Sequence, residues 1–148
     1  MTEPDVALSD FGLAFLSIYF VLTLLKQPSR ATRYVWIFLF ASLALASLCG
    51  GLFHGFFLDP SSMHQFLWTV TLLSIGITAA CIWMLAGITL FGQKAKVACA
   101  IFATVTFAMY VFVVLRVSQE FVVAITAYLP ASVTFLVAAL IVYFARKS

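Results

Sequence analysis

The sequence predicts an all-α integral membrane bundle of five transmembrane helices in up-down order, with the N-terminus outside and the C-terminus inside. Three observations predict it. Of the 148 residues, 65% are hydrophobic and 9% charged, with a mean hydropathy of +1.17, far from the balance of a water-soluble domain. The apolar residues fall in five runs, at about 6–25, 34–58, 66–91, 97–115 and 121–145, each near the ~20 residues that a bilayer-spanning helix needs. The charges are sorted by sign between alternate ends of those runs. Residues 1–148 therefore form one transmembrane domain, since so many apolar runs exceed what a soluble core of this size can bury.

The first run follows MTEPDVALSD, an acidic start without a basic segment or a small-x-small cleavage site, so its helix is expected to stay in the mature protein. Ser9 and Asp10 are the expected N-cap, the acid suiting the positive end of the helix dipole. The second run, YVWIFLFASLALASLCGGLFHGFFL, carries two adjacent small-residue stripes at helical spacing. Ser42, Ala46, Gly50 and His54 form one, and Ser47, Gly51 and Gly55 the other. Small-xxx-small faces let helix backbones approach closely, which lipid tails cannot match. Ser47, Gly50, Gly51 and Gly55 are thus the expected packing residues. This helix is expected at the centre, against the first, third and fifth.

The third run has Gly76, Ala79, Ala80, Ala86 and Gly87, which make it a partner for the second. The fourth repeats the device with Ala100, Thr104 and Ala108. In the fifth, Pro130 removes a backbone hydrogen bond and should kink the helix, with Ser132 or Thr134 available for the freed carbonyl. The joints are short, so successive helices should be antiparallel neighbours.

Lys26, Arg30, Arg33, Lys94, Lys96, Arg146 and Lys147 cluster at the first joint, the third joint and the C-terminus. All five acids, Glu3, Asp5, Asp10, Asp59 and Glu120, lie at the opposite end, where Arg116 is the one exception among the cations. Retention of basic loops in the cytoplasm then sets the orientation. Tyr34, Trp36 and Tyr143 mark the inner interface and Trp68 the outer one, while Trp83 sits deep and packs. The net charge of +3 is no nucleic-acid footprint, because it is confined to the ends of apolar runs. Cys49, Cys81 and Cys99 show no metal or redox spacing and read as small apolar residues.

In this topology Asp10, His54, Asp59, His64, Arg116 and Glu120 all belong to the outer third. Polar groups at membrane depth tend to face the bundle interior. His54 lies about one turn inside the end of its run, on the small-residue face, so it should point at protein, with a carboxylate such as Asp10 orienting its ring. His54, Asp10, His64, Arg116 and Glu120 are thus the candidate ligand-binding residues. His54 with Asp10 or Glu120 is the candidate catalytic set, and His54 the candidate metal ligand. A plainer alternative stands beside this one. His54 would tie two helices by one hydrogen bond, Asp10 would only cap, His64 would be an ordinary loop residue, and Arg116 with Glu120 would be an i,i+4 pair at a turn.

Phe53-His54 resembles the Phe-His pair on the second helix of intramembrane hydrolases of the alkaline ceramidase and adiponectin-receptor type. Those proteins have a serine four residues before that histidine, where this chain has Gly50. They also have two histidines on a late helix, where the fifth run has none, and they have seven spans. The resemblance covers a dipeptide and carries over neither zinc nor amide hydrolysis. No GxSxG, HExxH or phosphate-binding glycine loop is present, and no cofactor is indicated.

Two function classes follow. The first is a non-enzymatic bundle that binds a lipid or small ligand at an outer polar pocket, or an accessory subunit assembling through its small-residue faces. Membrane lipids, further copies of the chain or a partner membrane subunit would be its partners. The second is a metal-assisted intramembrane lipid hydrolase using His54 with Asp10 and Glu120.

Overall fold

A computed structural model describes residues 3–28, 31–57, 59–90, 93–145 and 147. Five helices account for nearly all of them: α1 (Pro4–Leu25), α2 (Ala31–Phe56), α3 (Ser62–Leu90), α4 (Gln93–Arg116) and α5 (Phe121–Ala145). Each is long and apolar enough to cross a membrane, and the chain is a multi-pass membrane protein. The expected span ends at 58 and 91 lie outside the described residues, as do Ser29, Arg30, Gly92 and Arg146 of the joints and the Lys94 side chain.

Helix α1 begins earlier than Ser9-Asp10. Pro4 occupies the first turn and Glu3 the N-cap position, without a side-chain cap. Proline has no N–H to leave unsatisfied there, and its fixed φ suits a helix start. Ser9 and Asp10 thus sit in the second turn, where the Ser9 hydroxyl donates to the Val6 carbonyl at 2.8 Å.

The centre of the bundle is α3, not α2. It packs against α2, α4 and α5, whereas α2 packs against α1 and α3. The backbones of α2 and α5 do not approach each other among the described residues. They meet through side chains such as Trp36 and Phe135, edge to face at 6.0 Å. The small residues of α3 serve different neighbours. Gly76 takes the Tyr110 ring of α4, and a Cβ at Gly87 would lie 2.5 Å from the Cβ of Cys99, also on α4. Ala79 instead joins the core containing Leu39 of α2 and Ala131 of α5. A helix apolar on every side is suited to burial on every side, and α3 is the most buried of the five.

The glycine face of α2 receives α1. A Cβ at Gly51 would stand 3.0 Å from the Phe11 ring, one at Gly50 2.8 Å from Asp10 Oδ2, and one at Gly55 3.4 Å from the Ala7 Cβ. The outer helices use alanine seams instead. Ala7 and Ala14 on α1 and Ala124, Ala131 and Ala138 on α5 are buried seven residues apart, the spacing of a narrow helix–helix stripe. Polar ties cross the interior. The Ser42 and Thr78 hydroxyls share a hydrogen bond at 2.8 Å, and the Tyr110 hydroxyl donates to the Leu72 carbonyl at 2.8 Å. At Pro130 the expected compensation is absent. The Ser132 hydroxyl has no partner among the described residues, and Thr134 is exposed.

Gly51→Leu will lower the thermal midpoint in detergent well below that of Leu45→Ala. It forces atoms into the Phe11 ring, an overpacking that costs typically 1–3 kcal/mol, whereas Leu45 is 46% exposed and faces outward. Equal midpoints would remove the close α1–α2 contact from the account.

Candidate functional site

A cavity of about 500 Å³ opens in the half of the bundle that holds the start of α1 and the end of α2. Four helices line it: α1 through Val6, Asp10 and Leu13, α2 from Leu43 to His54, α3 from Trp68 to Thr78, and α5 from Phe121 to Tyr128. From Leu43 to His54 it follows α2 for roughly 16 Å at about 1.5 Å per residue. The backbones of α1 and α5 do not approach each other among the described residues, so only side chains can separate the cavity from the surroundings on that side. Val6, Leu13 and Ile125, which line the cavity from those two helices, are exposed.

The walls are less polar than their residue names. The Thr71 hydroxyl donates to the Leu67 carbonyl at 2.9 Å and the Thr78 hydroxyl to the Ser74 carbonyl at 3.0 Å, each within α3. The Thr71 methyl accordingly lies toward Gly50, and the Thr78 hydroxyl is also engaged by Ser42 of α2, so neither hydroxyl is left without a partner. The shaft is therefore apolar, and its polar character gathers at the end near His54.

There His54 meets Glu3. The ring Nδ1 lies 2.5 Å from Glu3 Oε2, with the imidazole about a quarter exposed and the carboxylate about half. The same two residues are joined through the backbone, the Glu3 N–H donating to the His54 carbonyl at 3.2 Å. This double tie docks the start of α1 on the end of α2 and fixes the imidazole's orientation. Sequence reasoning assigned that task to Asp10 and did not single out Glu3. The signal available was Pro4, which marks the helix start and sets Glu3 at the end of α1 that an antiparallel neighbour brings beside His54. Asp10 lines the same cavity, lies within electrostatic reach of His54, and rests its carboxylate over Gly50.

The other candidates are placed elsewhere. His64 lies in α3, where its Nδ1–H donates to the Phe57 carbonyl at 2.8 Å and its ring packs 4.6 Å from that of Phe53. It lines a separate surface recess with Gln65 and Gln119. Arg116 and Glu120 are exposed, line neither that recess nor the cavity, and form no ion pair with each other among the described residues. The loop holding Glu120 is anchored by other atoms. Trp68 Nε1–H donates to the Gln119 carbonyl at 2.8 Å, and Gln119 Nε2–H donates to the Thr69 hydroxyl at 3.2 Å. Of the five candidates, His54 and Asp10 come together.

An aromatic wall flanks the polar end. The Phe53 ring centroid lies 4.8 Å from that of Trp68, and Trp68 lies 6.1 Å from Phe121. Among the described residues no three His, Cys, Asp or Glu side chains gather in metal-ligand reach, and a catalytic zinc commonly needs three protein ligands.

A double-mutant cycle of Glu3→Ala and His54→Ala, read by unfolding in detergent, will give a coupling of about 0.5–1 kcal/mol. Partial exposure and screening hold a pair of this kind to that range. Strictly additive losses would mean that the two side chains do not interact.

No curated protein and no solved structure matches this chain. Residues 6–148 match the Family of unknown function (DUF6962), and the chain belongs to that family.

Proposed function

We propose that this chain is a non-enzymatic membrane protein that holds a single-chain amphiphile, its tail in the shaft between α1, α2, α3 and α5 and its head at Asp10 and His54, the latter oriented by Glu3. The observation that carries this reading is a cavity about 16 Å long, apolar along its length and polar at one end, lined by exposed residues of two helices whose backbones do not approach each other. About 500 Å³ falls within the ~300–1,000 Å³ of small-molecule sites, and a lateral opening between α1 and α5 would admit a ligand from the bilayer itself. In this reading the polar end faces outside. The basic joints support that orientation, as do two cation–π contacts at the opposite end, Arg33 over Tyr34 at 5.0 Å and Lys147 over Tyr143 at 4.9 Å.

A second reading rests on the His54–Glu3 pair. A carboxylate-oriented imidazole is the arrangement of a general base, which would make the chain a lipid hydrolase. Release of product from a fluorogenic lipid ester or amide by purified protein, lost in His54→Ala, would favour it over simple binding.

Ile125→Trp and Val6→Trp narrow the opening without entering a packed contact, since both positions are exposed. Loading of a photoactivatable alkyl chain, read by mass spectrometry of the labelled peptides, will fall tenfold or more with the thermal midpoint unchanged. Undiminished labelling of cavity residues would refute the lateral route. For orientation, Ser62→Cys will react with a membrane-impermeant maleimide on intact cells. Reaction only on inside-out vesicles would reverse the assignment.

A further inference from the structure

At its polar end the cavity is lined by Asp10 and His54, and the Glu3 carboxylate, outside that lining, pairs with His54. Ionised, the carboxylates outnumber the single cation that His54 can supply. Glu3 is engaged with His54. The Asp10 carboxylate has no hydrogen-bond donor among the described residues, although it lies inside a membrane-spanning helix against Gly50. Asp10 is partly buried and within electrostatic reach of His54, but a carboxylate partly withdrawn from water without a donor still carries a desolvation cost, which a cation or a donor set brought by a ligand would relieve. Arg116, at the same end of the bundle, does not line the cavity. Trp68 and Phe121 also line the cavity, the Trp68 ring 6.4 Å from that of His54 and 6.1 Å from that of Phe121, and aromatic faces attract cations and suit weakly hydrated ammonium groups.

Resting on the reading of the cavity as an amphiphile site, we infer that the head it selects is an alkylammonium, held by Asp10 with Trp68 and Phe121 beside it. A sulfonate or phosphate head would meet the Asp10 carboxylate at close range and is disfavoured. A hydroxyl head could donate one hydrogen bond to Asp10, but it brings no charge to balance it.

Three photoactivatable alkyl chains of equal length, ending in trimethylammonium, hydroxyl or sulfonate, would be compared on the full chain in maltoside micelles. The readout is the probe concentration giving half-maximal labelling of cavity residues. The ammonium chain will label at about tenfold lower concentration than the hydroxyl chain, and the sulfonate chain least. In Asp10→Asn the ammonium preference will shrink toward unity. Equal labelling by all three overturns the head assignment and leaves the amphiphile site standing, as does a preference for sulfonate or an ammonium preference that survives in folded Asp10→Asn. Failure of every probe to label the cavity overturns both. Should Asp10→Asn fail to fold, the ranking of the three probes on the unaltered chain still decides.

Discussion

Helices within a bilayer gain nothing from leaving lipid for one another's apolar surface, so what holds them is close packing and a few polar ties. In this chain that constraint acts most sharply where α1 lies on the glycines of α2. Because Gly50, Gly51 and Gly55 carry no side chains, Asp10, Phe11 and Ala7 reach the backbone of α2. The register set there brings Glu3 beside His54 and Asp10 over Gly50. Shifting α1 by one turn would separate the carboxylates from the imidazole. The chemistry of the polar end is therefore a consequence of backbone approach several residues deeper in the membrane.

The cavity follows from how the other helices are distributed. Helix α3 takes α2, α4 and α5 on different faces, which spreads α2 and α5 apart at the level of Ser47 and Ala124. Helix α1 covers α2, but its backbone does not approach that of α5, and the cavity lies between them. Lower down, Trp36 and Phe135 close the space between α2 and α5 with side chains, and the Ser42–Thr78 hydrogen bond joins α2 to α3 near the floor. The cavity thus ends where large aromatics replace small residues on α2. A closed apolar void of this size would forfeit the contacts of every side chain lining it. A laterally open one can be filled from the membrane.

The five helices were legible because an apolar run of about twenty residues bounded by charge has few other readings. Which helix would be central was not. Glycine and alanine announce that something comes close without naming the neighbour, so the small faces of α2 and α3 suggested each other. In the fold the α2 glycines meet α1, while Gly76 and Gly87 of α3 meet α4. The alanine seams of α1 and α5 were visible at sevenfold spacing in the sequence, yet alanines are common enough in apolar runs to carry little signal alone. At the site, charge sorting conveyed depth and not direction around the bundle axis. It grouped His64, Arg116 and Glu120 with His54 and Asp10, although the first three open on other surfaces. Glu3 went unnoticed because it precedes every apolar run, where no periodicity assigns it a face.

If the cavity holds an amphiphile as proposed, chain and head contribute differently to its recognition. A tail entering from water gains about 0.8 kcal/mol for each buried methylene, but a tail entering from the bilayer leaves surroundings as apolar as the shaft. Its transfer is close to neutral, and the cavity walls discriminate mainly by length and shape. The threonines of the shaft strengthen this neutrality, since the hydroxyls of Thr71 and Thr78 already have partners, on α3 itself and, for Thr78, on Ser42 as well. Only the groups at the mouth can then separate one amphiphile from the many that surround the protein. Of those groups, His54 already has Glu3 as its partner, and the aromatic faces of Trp68 and Phe121 add attraction only toward positive charge. Asp10 is left as the group whose interaction with a ligand differs most from its interaction with lipid, and the specificity of the site turns on what neutralises it.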